Sequence, residues 1–363
     1  MQRSVWRRFD YLLFGAVIFL SIFGILMIQS AIAGNVVLAE LIPRQIIFVA
    51  VSPFVIIITA LINYQYWSSL ARLMYISAVG FLVVIFIVGE ARFGSARWLD
   101  TGVILIQPSE IAKIVLIIVL ADFFARRVGQ PHDLRWVVQS FLLTFGIVIW
   151  ILLQPNLSTS IVMFVIWFAL LWVSGLPLKY LWIFAIVGVI AGVIFFLFFM
   201  EDYQRIRIVN FLFPDPNARH GDTYNVDQAL ITIGSGGLFG QGYGHGTQVQ
   251  LRFLKVRHTD FIFSAMAEEF GFVGTSLVTG LIVFVIVRCL RIARASSDAF
   301  GALIAYGFAT LIFFQTAVNI GVNLNIIPVT GLTLPFISYG GSSLLSLALG
   351  IGLVESVAIH RKT

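Results

Sequence analysis

The sequence predicts an all-α, polytopic membrane protein. It has ten transmembrane helices, both termini cytoplasmic, and one large extracytoplasmic loop between spans seven and eight. Three observations predict it. Of 363 residues, 60% are hydrophobic and 11% charged, where a soluble domain carries about a quarter charged residues. Mean hydropathy is +0.99. The apolar residues also stand in long continuous runs, near the ~20 residues with which a helix crosses a ~30 Å hydrocarbon core. They do not form the short alternating segments of a barrel. This excludes a soluble enzyme, a disordered chain and a nucleic-acid reader. Thirty-four Phe and eight Trp suit a lipid-facing surface, and the single Cys289 allows no intramolecular disulfide.

The first five runs fall near residues 11–30, 44–62, 70–88, 108–124 and 137–153. The second five fall near 157–173, 180–200, 261–287, 300–322 and 336–359. Ten spans put both termini on one side. With the N-terminus cytoplasmic, 13 of the 23 basic residues face inward, among them Arg7, Arg8, Arg126, Arg127, Arg288, Arg291 and Arg294. Short-loop Lys and Arg set orientation. The net charge of +6 is therefore mostly topology. The first span has a basic start and a small-residue run, Ser30-Ala31-Ile32-Ala33, as a signal peptide would. Its apolar stretch exceeds a signal core, so it reads as a retained anchor. With no internal repeat visible, residues 1–363 read as a single integral-membrane domain.

The one large break is the loop at about 201–260. A loop that long in a compact protein is functional or disordered. Phe211-Leu212-Phe213-Pro214 and residues 230–233 are apolar enough to pack on the membrane surface, which argues for partial order. The loop contains seven glycines in the 13 residues 234–246. Glycine lets backbone amides approach a ligand, and such amides cradle phosphates. The run matches neither nucleotide-binding fingerprint. A flexible turn and a binding loop fit it equally.

Asp260 ends the loop, in His258-Thr259-Asp260-Phe261. One reading is a helix N-cap, accepting from orphan first-turn amides. The other is a membrane-surface carboxylate whose low-dielectric site makes it a better base. Both can hold together. Glu268 and Glu269 would lie about 12–14 Å deeper, about 80° and 180° around a helix from Asp260. They cannot share a proton with it, so paired-carboxylate chemistry is not supported. Structural pairing with a neighbouring helix is the favoured reading of Glu269.

Glu110 and Lys113 are three apart, on one helical face, and can pair. Lys113 could instead meet an anionic substrate. Arg97, beside Trp98, could meet a phosphate or simply anchor a helix. Residues 323–343 hold two prolines, Pro328 and Pro335, and several glycines in apolar surroundings. That marks a broken, re-entrant or cavity-lining segment. No metal-ligand spacing and no Ser-His-Asp order is present. From the residues, two classes remain: a transporter or flippase with a polar cavity, and an intramembrane enzyme acting on a lipid-borne substrate. One large outer loop ending in a carboxylate leans to the enzyme, because transporters place their sites near the midplane.

Four stretches together resemble the SEDS family (shape, elongation, division and sporulation). They are residues 107–113, Ile233-Gly234-Ser235-Gly236-Gly237, residues 258–264 with Glu268-Glu269, and residues 328–343. The resemblance covers essentially the full length. Pro328-Val329-Thr330-Gly331 is similar to the RodA-like branch, since division-type members usually carry a lysine where Thr330 stands. The resemblance implies a peptidoglycan glycosyltransferase that polymerises lipid II at the outer face of the bacterial cytoplasmic membrane. A flippase or a scaffold of the cell-wall machinery is the alternative. It implies a class B penicillin-binding protein, the transpeptidase, as partner within the elongation machinery, alongside the growing glycan strand and membrane lipids. It implies Asp260 as the catalytic carboxylate. Lys113, Glu110, Arg97, Arg205, Arg207, Gln228 and Ser338 are the candidate substrate-binding residues. A divalent cation, Mg or Mn, is expected to help, without a dedicated cage. Many members carry Pro-Glu where this chain has Lys255-Val256, so that glutamate's role does not carry over. Asn225 stands where a glutamine is common.

Overall fold

The structure, a computed structural model, describes residues 7–361 apart from 36–37, 89, 93–94, 101–104, 131–132, 178, 215–220 and 255–256. The side chains of 88–105, 179, 181, 185 and 222 also lie outside the described set. The helices are α1 (Tyr11–Ala31), α2 (Leu41–Leu61), α3 (Gln65–Val88), α4 (Pro108–Ala125), α5 (Leu134–Leu153), α6 (Leu157–Val173) and α7 (Lys179–Phe198). They continue with α8 (Asp202–Leu212), α9 (Asp222–Gly236), α10 (Thr247–Gln250), α11 (Ile262–Arg294), α12 (Ala299–Asn323) and α13 (Gly341–His360). Between α3 and α4 runs an antiparallel ribbon of β1 (Glu90–Arg92), β2 (Ser95–Asp100) and β3 (Leu105–Ile106). The all-helical expectation holds apart from this ribbon.

Several helix starts follow from side-chain caps. Asp10, Asp133, Asn156 and Asp298 accept from the amides of Leu13, Trp136, Thr159 and Gly301 at the starts of α1, α5, α6 and α12. Each satisfies an orphan donor of the first turn. Pro108 opens α4, where its missing N–H removes nothing.

Among the described residues seven helices are long and apolar enough to cross a membrane, or eight if α7 and the sharply bent α8 count as one span. The protein is therefore a multi-pass membrane protein. Its outer helices turn large apolar side chains such as Phe54, Ile76 and Trp182 outward, as lipid contact requires. The centre is built from α4, α12 and α13. Fourteen of the 18 residues of α4 are buried, including Glu110 and Lys113. That ion pair lets a helix carrying charge sit in the middle of the bundle.

The described residues of the 201–260 stretch are built around three helices, α8, α9 and α10. Leu230 and Ile231 are exposed on α9, as a membrane-surface face would be. The expected span at 336–359 begins later. Residues 324–340 are non-helical, and Leu332, Leu334, Phe336, Ile337 and Ser338 are buried. This is the broken segment that the two prolines predict. It packs on α1 at Gly24, where a Cβ would stand 2.7 Å from the Ile337 carbonyl oxygen.

Candidate active site

Asp260 lies where three elements meet. It is partly buried, one residue before Phe261, the N-cap of α11. Phe261 offers no side-chain cap. The Ser264 amide, three residues past this N-cap, donates instead to Asn323 Oδ1 on α12, at 3.0 Å. Ser264 Oγ donates to the same oxygen at 2.6 Å. A residue from another helix thus satisfies this first-turn donor of α11.

Both flanks of Asp260 are tied down. Ser338 Oγ donates to the Thr259 carbonyl at 2.7 Å and accepts from the Leu334 amide at 2.9 Å. The Tyr339 amide donates to the His258 carbonyl at 2.9 Å. Ser338 therefore joins the 332–339 segment to the Asp260 strand. A Cβ built on Gly331 would lie 3.8 Å from Asp260 Oδ2, so glycine keeps the space beside the carboxylate open. Arg257 is buried and donates to the carbonyls of Ala31 and Leu254. It thereby meets the negative end of α1. Burial, with Arg252 nearby, holds its guanidinium below the usual arginine value. Burial, with Arg257 beside it, pushes the His258 imidazole down to about 4, so His258 is neutral at pH 7.

The glycine run is held in place by main-chain hydrogen bonds. It plugs a break in α11. Gly271 has φ +64 and ψ −169, which interrupts the helix. The interruption orphans two carbonyls above it and two amides below. The amides of Gln241 and Gly242 donate to the carbonyls of Glu268 and Glu269 at 2.9 and 3.0 Å. The amides of Phe272 and Val273 donate to the carbonyls of Gly237 and Leu238 at 2.9 and 3.0 Å. The fit requires glycine: a Cβ on Gly240 would stand 2.2 Å from the Glu269 oxygen.

Glu268, fully buried, accepts from the amides of Gln248 and Val249 at 2.8 and 3.1 Å and from the hydroxyls of Ser235 and Thr247. Glu269 accepts from Ser30 Oγ on α1, the pairing with a neighbouring helix that was expected.

The other candidates are dispersed. Lys113 Nζ donates to Glu110 Oε1 at 2.8 Å, and Ser346 Oγ donates to Glu110 Oε2 at 3.4 Å. The pair is buried and joins α4 to α13. Arg205 donates to the Leu197 carbonyl at 3.1 Å, tying α8 to α7. Arg207 stacks on Tyr203 and lines a crevice with Asn210, Asp227, Asn325, Pro328 and Val329. Gln228 follows Asp227 on α9. Arg97 lies on β2, but its side chain is outside the described set, as are Lys255 and Val256. Among the described residues no three His, Cys, Asp or Glu side chains gather as a metal site. Sequence reasoning missed Arg257, Asn319 and Asn323. The signal for the last two was a pair of amides four apart in an apolar helix.

The comparisons with known proteins agree over the whole chain. Residues 10–363 match the family model described as "Cell cycle protein", which covers FtsW, RodA and SpoVE. The chain is 38% identical over 344 residues to the peptidoglycan glycosyltransferase MrdB of Escherichia coli strain K12, covering 94% of this chain and 91% of that protein. It is 35% identical over 320 residues to the probable peptidoglycan glycosyltransferase FtsW of Caulobacter vibrioides, covering 88% and 79%. The fold matches the crystal structure of the rod shape determining protein RodA of Thermus thermophilus with a TM-score of 0.73 and 31% identity, over 98% of each chain. A chain of a peptidoglycan synthase complex matches with a TM-score of 0.82 and 30% identity, covering 96% and 97%. With its site assembled from the same stretches that first suggested the resemblance, the chain belongs to the FtsW/RodA/SpoVE family.

Proposed function

We propose that the chain is a peptidoglycan glycosyltransferase of cell elongation, polymerising lipid II at the outer face of the bacterial cytoplasmic membrane. One observation carries the choice of Asp260: the first-turn amide of α11 is capped by Asn323. The segment that carries the carboxylate is held from α1, α12 and the 332–339 loop. In this reading the spans number ten. The charged but buried α4, the 17-residue α6 and the α7–α8 pair join the seven apolar helices. In the same reading the basic residues Arg126, Arg127, Arg288, Arg291 and Arg294 lie on the cytoplasmic side and Asp260 on the outer side.

Asp260 acts as general base. It takes the proton from the sugar hydroxyl of one lipid-linked glycan as that oxygen attacks the anomeric carbon of the other. The bond to undecaprenyl diphosphate breaks, and a single displacement inverts the α-linked donor to a β-linked product. The leaving group is already good. The protein must mainly position two lipids and balance the growing phosphate charge. Arg207, Arg205, Arg97 and Lys113 are the cations for that task. Gln228 and Glu110 are the remaining candidates for substrate binding, and Ser338 holds the loop. Among the described residues no three His, Cys, Asp or Glu side chains gather, and an Mg or Mn ion would travel with the substrate's diphosphate. A class B penicillin-binding protein is the partner that cross-links the product.

Lipid II supplied in detergent, with no membrane to cross, tests this. The purified chain with its transpeptidase partner should make long glycan, and Asp260→Ala should make none while remaining folded. No polymer from the wild-type chain would favour a flippase. Near wild-type polymer from Asp260→Ala would remove Asp260 from the chemistry.

A further inference from the structure

Asn319 and Asn323 are four apart on α12, so both present to one face. Both are buried, 1% and 0% exposed. Amides inside an apolar helix are unfavourable unless hydrogen-bonded, and the Nδ2 groups of both converge on one oxygen. Asn319 Nδ2 donates to the Asp260 carbonyl at 3.0 Å. Asn323 Nδ2 donates to the same carbonyl at 2.9 Å. Two donors occupy the two lone pairs of that oxygen.

Each amide also reaches a second element. Asn319 Nδ2 donates to the Leu332 carbonyl at 2.8 Å, in the loop that carries Gly331. Asn323 Oδ1 receives the amide and hydroxyl of Ser264, in the first turn of α11. Rotating the Asn319 amide would turn its oxygen toward two carbonyls, so its orientation is forced. The peptide after Asp260 is thus fixed from three directions. A fixed main chain sets where the side chain starts and points.

We infer that Asn323, with Asn319, is a positioning residue for the catalytic carboxylate. The inference rests on the assignment of Asp260 as base. It adds that α12 places the base: these amides do not touch substrate, but act through the Asp260 carbonyl. A misplacement of about 1 Å in a reacting group lowers rate by about 100-fold.

The test uses the full-length chain with its transpeptidase partner, in detergent, with lipid II. Asn323→Ala should lower kcat by about 100-fold and Asn319→Ala by about tenfold. KM for lipid II should move less than about twofold, because substrate contacts are untouched. Asn323→Asp separates capping from positioning. It still accepts from Ser264, but its carboxylate cannot donate to Asp260, so kcat should fall as in Asn323→Ala. Should Asn323→Ala not fold, Asn319→Ala and Asn323→Asp decide by the same split. A wild-type kcat in the folded variants overturns the inference. So does a fall in kcat that tracks a lowered melting temperature, which marks a structural role alone. Asp260→Asn is measured alongside. If it is inactive while the asparagine variants are fully active, positioning fails and the base assignment stands. If it is fully active, the base assignment itself fails.

Discussion

Asp260 and Glu268 lie eight residues apart, at the same end of the bundle, and are held in opposite ways. The contacts that fix Glu268 fall on its carboxylate, which gathers two amides and two hydroxyls from the glycine run and α10. At Asp260 the main-chain carbonyl gathers two asparagine amides. Glu110 follows Glu268, since Lys113 and Ser346 occupy it. In a chain with so few charges, Glu268 shows a carboxylate committed to the fold, while Asp260 shows a segment locked through its main chain.

The sharpest way to break this contrast is to remove each carboxylate in turn. Asp260→Ala should lower polymerisation by at least about 10²–10⁴-fold, to no detectable glycan, in a protein that remains folded. Glu268→Ala should do the reverse. Stranding the buried Gln248 and Val249 amides should cost about 4 kcal/mol of stability, read as a lowered melting temperature in detergent. Glu268→Gln keeps one acceptor oxygen and should lose less. Equal loss of stability in the two alanine variants would erase the distinction.

The pH dependence sharpens it further. His258, in the Asp260 segment, is held at about 4 by burial and Arg257, whereas unfolded it titrates near 6.5. The folded value is the lower one, so between these values the unfolded chain binds the extra proton. Stability is complete above about pH 6.5 and falls by about 3 kcal/mol as pH drops toward 4. The melting temperature of His258→Asn should fall less steeply across that window. The smallest expected effect belongs to the plug. Gly240→Ala meets the Glu269 carbonyl and a backbone φ of +82, and should cost about 2 kcal/mol. If its stability is unchanged, the glycine run is not held against α11 in solution.

Much of this was legible in the sequence. Long apolar runs located the helices to within a few residues, and Asp260 stood out because so few ionisable groups compete with it. Residues 323–343 read as broken because proline and glycine cannot continue a helix. What was hidden was pairing across distance. Nothing in the spacing of Gly234–Gly246 says that their amides complete a helix interrupted at Gly271. Asn323 caps α11 from 59 residues away, and such a cap is invisible to a rule that looks at the adjacent residue. The ribbon at residues 90–106 was missed because its strands are short and lie beside a much stronger helical signal.

The break at Gly271 also sets where the base stands. An unbroken α11 from 262 to 294 would be a rod of about 50 Å, longer than the ~30 Å hydrocarbon core. Residues 272–294 alone, about 35 Å as helix, match a bilayer with slight tilt. The segment above the break, residues 262–270, is left over from the span and stacks on the plug and on α12. The proposed base therefore stands at the top of a helix piece that the bilayer does not need, which frees that piece to serve the site.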